Sequence, residues 1–251
     1  MSKPTDEHQA TPNRAEPRLQ FERFELAAVL SRFDTGVIES ISEFPRGSAD
    51  SPKVVISCER GMFILNRRGP GRDEPERVAF AHSLQLHLAR AGFPAPRLLG
   101  DRRDQNSTVR VNGRAYELFE FIHGEPSDHS PAAAEAAGRE LGLFHRLAAQ
   151  HESNWSPPEG AYHDDPNAIR RLESLQDRLE GDAAARLAAA CAEAARRVDD
   201  AGLPDWPRQV IHGDWHPGNM LFRGHEVVGV VDFDSARIGP RVLDVANAAL
   251  Q

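Results

Sequence analysis

Residues 210–222, VIHGDWHPGNMLF, and residues 225–234, HEVVGVVDFD, decide the reading of this chain. Apolar runs flank one polar loop, His212 to Asn219, and lead into a second at Asp232. The order is strand, polar loop, strand, strand, polar loop, which concentrates reactive side chains on loops held by a rigid hairpin. Asp214 and Asn219 stand five positions apart, enough for one loop to bring them to opposite sides of a reacting centre. Asp232 ends a separate apolar strand, so the backbone can fold it back toward Asn219. A carboxylate with an amide oxygen suits Mg²⁺, a hard cation that takes oxygen ligands and keeps several waters. The remaining carboxylate is then free to orient and deprotonate an alcohol.

Upstream of this hairpin the chain is helical. Residues 130–152, SPAAAEAAGRELGLFHRLAAQHE, open with Ser at the cap and Pro in the first turn. Further helices are expected around 167–180 and 183–198. The first half reads differently. Residues 21–33, FERFELAAVLSRF, place Phe21, Phe24, Leu26, Val29, Leu30 and Phe33 on one broad helical stripe. Three β-like runs follow, GVIESISEF, SPKVVISCE and GMFILNRR, broken by turn residues. A helix over 74–92 stops at glycine, and residues 107–124 form two more strands joined at Asn112-Gly113. The expected fold is α+β and two-lobed: a flexible tail over 1–16, a small antiparallel-sheet lobe over 17–125, and a mainly helical lobe over 126–251 carrying the hairpin. The connection is placed at 119–130, with Gly124 relaxing the backbone.

Composition narrows the function. The 251 residues carry 30 basic and 38 acidic side chains, a net charge of −8, which repels nucleic-acid phosphates. No apolar stretch approaches the ~20 residues of a membrane helix. Two cysteines, Cys58 and Cys191, make no disulfide framework, so a reducing cytoplasm is the expected location. Of the basic residues only Lys3 and Lys53 are lysine.

The pairing of His-Gly-Asp, a short gap and Asn with a later Asp-Phe resembles the kinase-like small-molecule phosphotransferases, which include aminoglycoside phosphotransferases, choline kinases and kinase-like homoserine kinases. The resemblance extends over residues 17–250, including YELFEFIHGEP at 116–126 and GPRVLDVANA at 239–248. It implies a protein-kinase-like fold and an ATP- and Mg²⁺-dependent transfer of the γ-phosphoryl group to the hydroxyl of an amino alcohol, sugar or aminoglycoside-like molecule. Asp214 corresponds to the catalytic base, and Asn219 and Asp232 to the metal ligands. Phe119, Glu120, Phe121 and Ile122 correspond to the hinge that reads adenine, and Gly47 and Ser48 to the turn over the phosphates.

Supporting roles fall to His212 and His216 in the loop, to Asp234 in a turn, and to Asp244 bonding the loop backbone. Trp155, Trp206, Trp215 and Tyr162 stand open between core packing and acceptor contact; Trp215, directly after Asp214, is the best placed for contact. One departure stands out: where such kinases put a lysine on the third strand, this chain has Asn66. Arg68, with Arg67 behind it, is favoured to supply the missing charge, ahead of Lys53 on the preceding strand. The Glu partner stays open as well: Glu74 and Glu76 sit at the very start of the following helix, whereas the corresponding interior position is near Ala81 or His82. These departures leave a catalytically impaired nucleotide-binding or scaffolding protein as the alternative. The family usually continues beyond the apolar helix at 242–250, so the lobe over 126–251 is expected to be incomplete, through a clipped chain or a shortened gene, or else that helix is covered by a partner or a second copy.

Overall fold

The computed structural model describes residues 19–158 and 182–250. The helix expected over 167–180, and Tyr162, lie outside the described residues. The first half is built on a six-stranded antiparallel sheet in which β1 (Ile38–Phe44), β2 (Lys53–Cys58), β3 (Gly61–Arg67), β6 (Arg114–Glu120) and β4 (Leu98–Leu99) are successive neighbours, and β5 (Val109–Val111) pairs with β6. Asn112 and Gly113 both take left-handed backbone at the β5–β6 turn, as a two-residue hairpin of type I′ requires.

Period-two alternation sorts the two faces of the sheet. Val54, Ile56, Phe63 and Leu65 are buried together with Val29, Leu30 and Phe33, which lie on and just after α1 (Arg23–Leu30). Phe24 departs from the expected stripe and is 90% exposed. Eight residues make barely two turns, so α1 presents only a narrow stripe to the sheet. The opposite face looks into the molecule. Lys53, Asn66 and Glu117 are register partners across β2, β3 and β6 and form one row on it; Val55, Ile64 and Phe119 form the next.

The second half holds α3 (Pro131–Ala148), α4 (Ala183–Asp200) and α5 (Val242–Ala249), with β8 (Met220–Arg223) and β9 (Glu226–Val230) as a hairpin. The Ser130 hydroxyl accepts from the Ala133 amide at 3.2 Å and caps α3. β7 (Arg208–Ile211) pairs with β10 (Arg237–Pro240). Neither β4 nor β10 has a strand signature, since both are short and lie beside prolines.

The hydrophobic core does not divide at residue 125. Phe80, Leu84 and Leu88 of α2 (Pro75–Arg90) pack with Phe144, Trp215, Phe222 and Phe233 of the second half, so α2 binds the two halves together. The connecting segment is also stitched down: Glu125 and Phe222 exchange two backbone hydrogen bonds of 2.8 Å. Gly124 serves by close approach rather than by relaxing the chain. A Cβ there would lie 2.9 Å from Leu221 Cβ and 3.1 Å from the Phe222 carbonyl oxygen. Among the described residues no helix is long and apolar enough to cross a membrane.

Candidate active site

Between the sheet and the hairpin lies a cleft of about 580 Å³. Its apolar end is walled by Ile64 and Phe119 from the sheet and by Leu221 and Val231 from the hairpin side. Phe119 to Ile122 run along one rim. The Glu120 and Phe121 amides are used within the fold, donating to the Arg97 and Met62 carbonyls at 2.8 and 2.9 Å. Ile122 follows them, and among the described residues its amide and carbonyl have no hydrogen-bond partner. An apolar slot beside one free donor and one free acceptor matches the flat faces and polar edge of a purine.

At the polar end the two loops converge. Asn219 donates from Nδ2 to the Asp214 carbonyl at 3.0 Å and to Asp214 Oδ2 at 2.9 Å. Both Asp214 atoms can only accept, so the amide nitrogen must face them and the amide oxygen faces away. His216 faces the same carboxylate oxygen. Its Nδ1 accepts from the Gly218 amide at 3.0 Å, which leaves the proton on Nε2, 3.5 Å from Asp214 Oδ2. Asp214 Oδ1 has no partner among the described residues, and the side chain is 38% exposed.

Asp232 holds a left-handed backbone, with φ of 65°, an uncommon conformation for a residue with a side chain. Burial pushes its pKa up, and the neighbouring Asp234 and Asp214 carboxylates push it further. Such mutual repulsion marks a place where a cation would be welcome. Among the described residues no three His, Cys, Asp or Glu side chains gather to hold a metal by themselves. Asn219 and Asp232 both line the cleft, and an amide oxygen beside a carboxylate is a pair of donors that a hard cation can take while filling its other positions with further oxygen ligands.

The loop is set by Asp244, which is fully buried in the first turn of α5. It accepts from the His212 amide at 2.9 Å, the Gly213 amide at 2.8 Å and His145 Nε2 at 2.8 Å. Burial depresses the His212 pKa against the pull of the Asp244, Asp232 and Asp214 carboxylates. The imidazole accepts from the Asp214 amide at 3.3 Å.

Trp215 is not on the acceptor side. It is 1% exposed, with its ring 5.8 Å from Phe144 and 5.4 Å from His212, because the loop turns its side chain into the core as it leaves Asp214 pointing out. Trp155 and Trp206 are the exposed tryptophans.

The charged groups at the polar end of the cleft differ most from expectation. Arg68, favoured for phosphate binding, is buried and occupied. Its Nε pairs with Glu117, Nη1 and Nη2 reach the Asp234 carboxylate at 3.0 and 2.7 Å, and Nη1 also donates to the Arg72 carbonyl at 2.6 Å. Asp234 is therefore more than a turn residue: it ties the loop that follows Asp232 to the sheet, and its carbonyl accepts from Arg77 of α2 at 3.0 Å. Arg67 points to the other face of the sheet and pairs with Glu25 at 2.7 Å.

At the helix position where an acid is usual stands His82, whose Nε2 lies 2.8 Å from Glu117 Oε1. Burial opposes ionisation of Glu117, yet His82 and Arg68 hold its pKa down at about 2. Sequence reasoning missed Glu117, and a signal was present: a lone carboxylate inside an apolar strand has to be paired. Gly47, at φ of 90°, and Ser48 form the turn over this end, and their amides have no partner among the described residues.

A two-lobed α+β frame with this pair of loops defines the class of kinase-like phosphotransferases. A model of the phosphotransferase enzyme family matches residues 40–250. The chain belongs to that family. A homoserine kinase of Rhodopseudomonas palustris is 29% identical over 235 residues, spanning 88% of this chain and 66% of that protein. The chain thus spans about two thirds of the length of such relatives. Among solved structures, an amicoumacin kinase in complex with AMP-PNP, Ca²⁺ and its ligand superposes with a TM-score of 0.74 at 15% identity, covering 91% of this chain and 68% of that one. A microcompartment-associated aminopropanol kinase gives 0.71 at 17% identity, covering 91% and 74%.

Proposed function

We propose that the protein transfers the γ-phosphoryl group of ATP, with Mg²⁺, to the hydroxyl of a small amino alcohol. The observation that carries the reading is the arrangement at Asp214. Its Oδ2 is fixed by Asn219 and faced by His216, while Oδ1 is left accessible for a hydroxyl proton. Held in this way, Asp214 aligns the acceptor oxygen for in-line attack and takes its proton at Oδ1 as the new O–P bond forms. Asn219 through its oxygen and Asp232 through its carboxylate would hold the metal, which when bound neutralises charge on the phosphates.

The apolar slot beside Ile122 supports adenine binding, and the free amides of Gly47 and Ser48 support a phosphate contact. The acceptor class is supported by the named relatives, a homoserine kinase and an aminopropanol kinase, both named for molecules that carry an amine and a hydroxyl. The net charge of −8 also favours a cationic acceptor.

Calorimetric titration with ATP, with and without Mg²⁺, tests the donor half. Mg²⁺-dependent binding that weakens in Asp232→Asn is expected, and no binding under either condition would end the reading. A panel of amino alcohols, sugars and aminoglycosides, followed by ADP release, tests the acceptor half. Amino alcohols are expected to give the fastest turnover, and preference for an uncharged sugar would overturn that part.

A further inference from the structure

A kinase-like site needs a cation against the donor phosphates, and β3 offers the neutral Asn66 where one is usual. Four basic side chains line the polar end of the cleft: Arg46, Lys53, Arg68 and Arg72. Arg68 has the best position in the sequence and the least freedom, since Glu117 and Asp234 already neutralise it. Arg46 and Arg72 are exposed on loops. Lys53 is half-buried, and among the described residues its ammonium has neither a salt bridge nor a hydrogen bond.

Geometry explains how Lys53 reaches the site. It lies directly opposite Asn66 in the β2–β3 ladder, and cross-strand partners project from the same face about 5 Å apart. The cation is thus moved sideways by one strand and kept on the cleft face. Asn66 is turned toward Glu117, donating to it from Nδ2 at 3.1 Å. Overhead, the Gly47 turn closes on Lys53: a Cβ at position 47 would stand 2.6 Å from Nζ. The ammonium therefore sits under the turn whose amides are free, within the field of Asp232 and Asp234. Burial lowers its pKa while Asp232, Asp234 and Glu117 oppose that shift.

Resting on the nucleotide reading above, we propose that Lys53, delivered from β2, is the phosphate-binding cation of this protein, and that Arg68 is a positioning residue withdrawn from phosphate to anchor the metal loop. The lysine is relocated rather than lost, and Asn66 is its neutral cross-strand neighbour.

Titration of the intact protein with ADP and, separately, with adenosine tests this. Lys53→Met is expected to weaken ADP about 10- to 100-fold, the scale of a charge-assisted contact, and to leave adenosine within about twofold. The exchange variant Lys53→Asn/Asn66→Lys, which keeps both side-chain types in the same strand pair, is expected to recover at least part of the ADP affinity and carries the test if Lys53→Met does not fold. Unchanged ADP affinity in Lys53→Met, or equal losses of ADP and adenosine, would overturn the assignment. Absence of ADP and adenosine binding in the unaltered protein would instead overturn the nucleotide reading, and the assignment with it.

Discussion

Replacing Arg68 with Met removes a buried guanidinium that bridges Glu117 of the sheet and Asp234 of the loop that follows β9. Two routes frame the size of the loss, the second as an upper limit because His82 carries part of it. Removing one partner of a buried ion pair typically costs about 3–5 kcal/mol, because the other charge stays behind in a poor solvent. Independently, Glu117 is held at about 2 against an ordinary 4.5. At about 1.4 kcal/mol for each tenfold change in proton affinity, that depression corresponds to roughly 3 kcal/mol at neutral pH, shared between His82 and Arg68.

The sign follows from the depressed pKa. This stability is present above about pH 4.5 and is lost as pH falls through about 2. In Arg68→Met the Glu117 carboxyl rises toward its ordinary range, so the acid limb of the stability curve moves to higher pH. Urea unfolding at pH 7 and at a series of lower pH values reads both effects. A loss of about 3 kcal/mol shifts the midpoint by about 1 M or more, given a urea slope of about 1–3 kcal/mol per molar. Adding Glu117→Gln to Arg68→Met is expected to cost less than the sum of the two single changes. A loss under about 1 kcal/mol with an unmoved acid limb would refute the clamp.

Other perturbations probe other parts of the site. Asp244→Ala strands the buried His212 and Gly213 amides and should cost roughly 2–5 kcal/mol in thermal or urea unfolding, with a much smaller effect from a control at exposed Glu135. Gly124→Ala presses a methyl group into Leu221 Cβ and the Phe222 carbonyl, and overpacking of this kind costs about 1–3 kcal/mol in the same assay. Asp232→Asn relieves like-charge repulsion in the metal-free protein, so its melting temperature without ligand should rise while its stabilisation by Mg²⁺ and ATP falls.

The polar loops were the most legible part of the chain because their geometry is local. Five residues separate Asp214 from Asn219, and a short hairpin cannot carry Asp232 far from them. The sheet was legible for a similar reason: alternation and turn residues fix β1, β2, β3, β5 and β6 one at a time. What stayed hidden depends on distant partners. Alternation puts Arg68 on the cleft face but says nothing of Glu117, 49 positions away, or Asp234, 166 positions away, which occupy it there. Two-residue β4 and proline-ended β10 are strands only because β6 and β7 offer them edges. Trp215 and Phe24 carry the same lesson in opposite directions, one turned into the core by a tight loop and the other left outside by a short helix.

The most direct test of the central claim is transfer of label from γ-labelled ATP to an amino alcohol hydroxyl, followed for the unaltered protein and for Asp214→Asn with nucleotide affinity measured alongside. The predicted result is Mg²⁺-dependent labelling that falls about 10²- to 10⁴-fold in Asp214→Asn while ATP affinity stays within about threefold. Equal labelling rates in the two proteins would contradict the assignment of Asp214 as the group that takes the hydroxyl proton.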